Sequence, residues 1–204
     1  MEILELKLKN TLNSNNFIAT TDCGVFLLHS DVILQQGISK GEIEDELFFS
    51  AVSDSAYIIA LEMASTYLAN SVKTEKQVKD YLYKKSFKTE IVSAVIAKLK
   101  EYKVLDDAQF AELYVRSNSN FSKTKLRHKL CGFGIKQDVV AKSLSDVDDY
   151  ESCYICAKKF LKNKVIDNRN KIKLTRRLQS QGFSWEDIKR VLNEYSWQED
   201  EQEF

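Results

Sequence analysis

The stretch "KLRHKLCGFGI" (residues 125–135) sets Leu126 and Leu130 four apart and follows them with Gly134 and Ile135. Leucines at that spacing share one helical face, and a glycine just past them marks the helix end, because it takes a left-handed backbone at no steric cost. The same signals return after a step of 48 residues in "RRLQSQGFSWEDI" (176–188), where Leu178, Gly182 and Phe183 stand for Leu130, Gly134 and Ile135. The same step upstream reaches Leu82, Ser86 and Phe87. The register carries on through Val92, Val140 and Ile188, then Ile96, Leu144 and Leu192. With a slip of one or two residues, "MASTYL" (63–68), "FAELYV" (110–115) and "CAKKFL" (156–161) also correspond, each with an Ala, an aromatic three residues on and then an aliphatic. A dozen positions in one register across three copies define an internal repeat.

Each repeat is predicted to hold three helices, at 54–70, 74–85 and 88–102, then 107–119, 122–132 and 136–146, then 149–163, 168–181 and 184–195. Three short helices bury little alone and gain by stacking on neighbours. The fold expected is mainly α, with three tandem three-helix repeats (54–105, 106–147 and 148–196) in an elongated curved stack. A strand-rich extension with short helices (1–53) precedes them and an acidic tail (197–204) follows. In the extension, Leu4, Leu6 and Leu8 alternate with Glu5, Lys7 and Lys9, a period-2 strand signal. "NTLNSNN" breaks the chain, "FIATT" and "VFLL" flank an Asp22-Cys23-Gly24 turn, and a small antiparallel sheet follows from this. Asp31–Gln36 and Glu42–Val52 read as two short helices separated by Gly37 and Gly41.

Asp106 and Asp107 stand before the apolar run of "VLDDAQFAELYV" (104–115). An acidic pair there is either a metal or acid/base site or the start of a helix. The corresponding junctions hold Asp148, Asp149 and Glu151 in the third repeat and Ser53, Asp54 and Ser55 in the first. Recurrence of cap-forming residues at three junctions favours capping, worth about 1 kcal/mol. No Gly-rich phosphate loop, nucleophile elbow or ligand cluster accompanies the pair, so neither enzymatic activity nor a cofactor or metal is expected. Cys153 and Cys156 have CxxC spacing but lie on a predicted helix without a second pair, and read as buried small hydrophobes. His29 and His128 read as isolated. The first residues lack a secretory signal and no apolar run approaches the ~18 residues of a membrane span, which makes the cytoplasm the expected compartment.

The net charge is zero but unevenly spread: residues 1–56 carry three Lys/Arg against nine Asp/Glu, whereas residues 158–177 carry nine basic side chains and a single acid, Asp167. The middle helices of repeats two and three match in charge, pairing Lys123 with Lys171, Lys125 with Lys173 and Lys129 with Arg177. Lys125 and Lys129 are four apart, as are Lys173 and Arg177, so each pair shares a face. His128 and Arg176 extend the polar side, and Lys158, Lys159, Lys162 and Lys164 add to it. Such a band is either a solvated helix face or a contact for an acidic protein groove or nucleic-acid phosphates; its recurrence by repeat favours contact.

The order of these signals resembles the bacterial RecX family, regulators of the RecA recombinase. The likeness rests on "ALEMASTYLANSVKTEKQVKDYL", "VLDDAQFAELYV", "KLRHKLCGFGI" and "RRLQSQGFSWEDI", with the Leu-Asp-Asp-x-x-Phe-Ala segment the most specific element. Two departures are visible: "YLANSVKT" keeps only Lys73 where the family is more basic, and Ser86 replaces the turn glycine. The resemblance implies a monomeric regulator without chemistry of its own, which binds the groove of the RecA–single-stranded DNA filament and lowers its ATP hydrolysis and strand exchange. The partner surface expected is Lys123, Lys125, Lys129, Lys158, Lys162, Lys171, Lys173, Arg176 and Arg177. A weak direct DNA contact stays open. The alternatives are a helical nucleic-acid-binding protein acting on DNA without RecA, and a helical scaffold for an unrelated partner; no membrane is involved in any of them.

Overall fold

Ser86, Gly134 and Gly182 all adopt left-handed backbone, with φ of 65°, 82° and 86°. After each, the next residue folds back so that its N–H reaches the carbonyl of the last core leucine: Phe87 to Leu82 and Ile135 to Leu130 at 3.3 Å, and Phe183 to Leu178 at 3.4 Å. This is a helix C-terminal closure repeated three times. It turns the chain sharply enough for a third short helix to pack back on the second. Leu82, Leu130 and Leu178 are fully buried, as are Val92 and Ile188, with Val140 close to that.

The computed structural model describes residues 1–9 and 15–198, and the chain divides into two compact units, Met1–Leu105 and Asp106–Phe204. The first unit opens with strands β1 (Glu2–Leu8), β2 (Asn16–Thr21) and β3 (Gly24–His29), followed by α1 (Ser30–Gln36) and a short β4 (Gly41–Glu42). The antiparallel sheet has the order β3-β2-β1-β4. Helices α2 (Asp45–Ala69), α3 (Glu75–Lys84) and α4 (Thr89–Glu101) complete this unit. The second unit holds α5 (Asp107–Ser117), α6 (Lys123–Gly132) and α7 (Gln137–Ser143), then α8 (Asp149–Leu161), α9 (Asn168–Ser180) and α10 (Trp185–Leu192). Among the described residues eight of the predicted repeat helices stand as separate helices, and the first is the second part of α2. Each three-helix set has its own apolar cluster, and a fourth cluster lies under the sheet. The "NTLNSNN" break falls largely, and the acidic tail almost wholly, outside the described residues.

Two expectations are corrected. The chain has one helix where a short helix at 42–52 and a separate one from 54 were expected: α2 runs unbroken for 25 residues, with Phe48, Ala51, Ser55, Ile59, Ala60 and Ala64 buried. Its first half packs on β3 and its second on α3 and α4, so a break at Ser53 would split one packing surface. In consequence Ser53–Ser55 is no cap; Asp54 sits mid-helix and accepts a hydrogen bond from Gln36 Nε2 at 3.0 Å. Length and composition alone would let α2 cross a bilayer (mean hydropathy 1.4 over its most apolar window). In this fold it is the central packing helix of its unit. The strand expected from the leucine alternation is β1, and its inner face carries Ile3 and Leu6. The register slips between Ile3 and Glu5, so Ile3 is buried while Leu4 and Leu8 are 44% and 58% exposed. A bulge reverses the phase of alternation, which a strict period of two cannot anticipate.

Candidate partner-binding surface

The acidic pair is a cap. Asp106 carries one side-chain oxygen that accepts from the N–H groups of Ala108 (2.8 Å) and Gln109 (3.0 Å), closing the first turn of α5. Asp148 does the same for α8, accepting from Tyr150 at 2.8 Å and Glu151 at 3.3 Å. Asp149 acts across the repeats: its carboxylate accepts from the backbone N–H of Lys123, the first residue of α6. Among the described residues no group of three or more His, Cys, Asp or Glu is arranged to hold a metal ion.

Repeats two and three are joined where α6 begins. Ser122, itself fully buried, caps α6 by accepting from Lys125 N–H at 3.1 Å, and its own N–H donates to the Gln181 carbonyl at 3.2 Å. The ammonium of Lys125 donates to the Ser180 carbonyl (2.9 Å) and to Gln181 Oε1 (2.8 Å), and lies 4.6 Å from the Phe121 ring centroid. Lys125 therefore satisfies the open carbonyl of Ser180 at the C-terminus of α9, where a positive charge is favoured. Its repeat equivalent, Lys173, is exposed. The two share a sequence position and differ in surroundings.

The remaining candidates fall into separate groups. Lys129, Lys173, Arg176 and Arg177 are exposed on their helices. At about 100° per residue, Lys171 sits roughly 160° around α9 from Lys173. It is half-buried, lies 5.7 Å from the Trp197 ring centroid, and lines a recess with Ile172, Trp185 and Lys189. Lys123 occupies the matching flank of α6, also half-buried. Arg177 reaches toward α8, 5.9 Å from the Phe160 centroid, where the Lys164 ammonium sits 3.3 Å away. Lys158, Lys159 and Lys162 border an apolar groove lined by Ile155, Leu161, Ile166 and Tyr195. Trp185 and Ile172, 61% and 54% exposed, were not picked out in the sequence. Both sit at positions where the repeat register gave no apolar equivalent.

Cys153 and Cys156 are buried in the core of repeat three. Desolvation pushes the Cys153 thiol up to about 12, and burial raises Cys156 too, against an opposing pull from Arg177. His29 belongs to no triad or ligand set among the described residues. It is buried at the end of β3, its Nδ1 accepts from Asp31 N–H to cap α1, and its Nε2 lies 3.3 Å from Glu62 Oε1, in an alignment short of a hydrogen bond.

Fold and surface together describe a helical protein of three-helix units that presents basic side chains. A family model for the first three-helix domain of RecX matches residues 60–99. Over 200 residues the chain is 32% identical to "Regulatory protein RecX" of Clostridium botulinum (strain Eklund 17B / Type B), covering 94% of this chain and 93% of that one. It is also 32% identical over 200 residues to "Regulatory protein RecX" of Clostridium tetani (strain Massachusetts / E88), covering 93% and 91%. A crystal structure of regulatory protein RecX superposes with a TM-score of 0.63 at 19% identity, over 95% of this chain and 99% of that one. This chain belongs to the RecX family.

Proposed function

We propose that this protein regulates the RecA recombinase, mainly as an inhibitor. It binds in the groove of the RecA–single-stranded DNA filament and reduces ATP hydrolysis and strand exchange. It acts in the cytoplasm as a monomer, with neither a cofactor nor chemistry of its own. The observation that carries this reading is the kinship along nearly the whole chain to proteins named as RecX regulators. The exposed cations Lys129, Lys173, Arg176 and Arg177 support a surface for acidic groups, with Lys158 on α8 and Lys162 at its C-terminal end in the same unit. Lys125 belongs to the frame that holds α6 against α9.

The test is DNA-dependent ATP hydrolysis by RecA, titrated with this protein while single-stranded DNA is in large excess. Inhibition at amounts well below the RecA concentration is expected. The triple variant Lys129→Glu, Lys173→Glu, Arg176→Glu should need at least about tenfold more protein for the same effect, with its circular dichroism unchanged. Full inhibition by that variant would move the contact elsewhere on the molecule. Absence of inhibition by the unaltered chain, or its relief by added DNA, would overturn the RecA reading in favour of direct nucleic-acid binding.

A further inference from the structure

Strand β1 has a free edge. On the side away from β2, the short β4 covers only Glu2 and Ile3, through pairs with Glu42 and Gly41. The Lys9 N–H donates to the Asn16 carbonyl at 2.8 Å, so Lys9 and Asn16 form a hydrogen-bonded pair at the end of the β1–β2 ladder. Pairs alternate along such a ladder, and Lys7 and Glu5 therefore also turn their N–H and C=O groups toward β2. Leu6 and Leu8 turn theirs the other way, where no strand lies among the described residues. An open row of donors and acceptors is a template for another strand. Leu4 and Leu8, 44% and 58% exposed, flank it.

The side chains decide which strand fits. Glu5 and Lys7 lie on the outer face, 49% and 70% exposed, and are ion-paired to each other at 2.7 Å. A second β1 laid antiparallel and centred on Leu6 places Leu6 opposite Leu6, and each Glu5 opposite Lys7 of the other copy. Glu5 and Lys7 then form non-hydrogen-bonded pairs, in which facing side chains are closest. Centring on Glu5 or on Lys7 would oppose like charges, and centring on Leu8 would set Lys7 against Lys9. Leu6 is also a residue whose backbone faces the edge, so charge and hydrogen bonding select the same register. Lysine ordinarily guards an edge against pairing; here it meets a carboxylate. We propose that β1 is a self-pairing edge, through which two copies of this chain join their sheets along Glu5–Lys7 with Leu6 on the two-fold axis. Leu4 and Leu8 cover the ends of the pairing. Gly41, already opposite Ile3, stops it there, so the interface is small and the dimer weak. The RecA reading does not depend on this pairing. The paired form is that of the free protein at high concentration, and dilution or binding to a filament returns the single chain.

Sedimentation equilibrium of the full chain, without RecA or DNA, tests this between about 1 and about 500 µM. The average mass should climb toward that of a dimer. Glu5→Lys and Lys7→Glu should each weaken pairing at least about fivefold, since like charges then face each other at two places. The double variant Glu5→Lys, Lys7→Glu restores the complement and should dimerise within about threefold of the unaltered chain. An equimolar mixture of the two single variants should pair, because each supplies the charge that the other lacks. Both positions are exposed, so circular dichroism should be the same for every variant. A chain that stays monomeric at about 500 µM overturns the proposal and leaves the edge to a strand of another protein. A dimer indifferent to the single reversals overturns it as well, and so does a double variant that fails to recover.

Discussion

Ser86 and Gly182 hold the same place in the repeat and the same left-handed backbone, yet substitution should move them in opposite directions. A non-glycine residue in that conformation costs roughly 1–2 kcal/mol, partly offset by the extra entropy glycine loses on folding. Ser86→Gly is therefore expected to stabilise the protein by about 0.5 kcal/mol, read from a higher urea midpoint. At Gly182 an added Cβ would also stand 2.6 Å from Ser122 Oγ, and that hydroxyl is fixed by capping α6. Gly182→Ala should cost roughly 2 kcal/mol, combining backbone strain with a damaged cap. The thiols give a second check at this scale. Cys23 and Cys131 are exposed, and Cys153 and Cys156 are buried. A thiol reagent at neutral pH should modify the exposed pair rapidly and the buried pair only after unfolding. The burial of Cys153 and Cys156 was legible from helical spacing. The surroundings of Lys125 were not, because its acceptors, Ser180 and Gln181, are more than 50 residues away.

At the scale of the element, capping decided where helices begin. Asp106→Ala should destabilise the protein by about 1 kcal/mol, whereas Asp54→Ala, within the continuous α2, should stay within about 0.5 kcal/mol. Equal losses in the two urea midpoints would contradict the assignment of α2 as one helix. Helices α3 to α10 were readable because the repeat supplied three independent copies of each signal. The region before residue 54 has no copy to compare with, and there the sequence misled. Gly37 and Gly41 marked real breaks, but nothing local shows that Glu44 to Ser55 continues into the first repeat. Likewise the bulge at Leu4 depends on pairing with β2, which hydropathy along one strand does not record.

For the molecule as a whole, the first unit carries a pH-sensitive tie. Glu75 at the start of α3 accepts from Lys100 of α4 at 2.8 Å and from Lys79 at 2.6 Å. Hydrogen bonds from Lys100, then from Lys79, hold its carboxyl below the ordinary value of 4.5. A carboxyl depressed in the folded state stabilises the fold above the unfolded value, and that contribution fades as pH falls below it. The thermal midpoint should therefore drop more steeply below pH 4.5 in the unaltered chain than in Glu75→Gln; parallel profiles would show that the tie contributes nothing. Fold class and membership of the family were legible from the repeat. The division of the basic residues into a frame, a recess and an exposed set was not, since equal sequence positions on α6 and α9 face different neighbours.

The clasp at the start of α6 has a consequence for how the chain is made. Lys123 N–H needs the carboxylate of Asp149, and Ser122 N–H needs the carbonyl of Gln181. Both acceptors leave the ribosome after the second repeat has fully emerged. Until the third repeat has been synthesised, these two N–H groups have water in place of their acceptors, while the Ser122 hydroxyl already caps α6. Slow decoding between residues 147 and 181 would lengthen the interval in which a half-finished chain is open to chaperones and proteases.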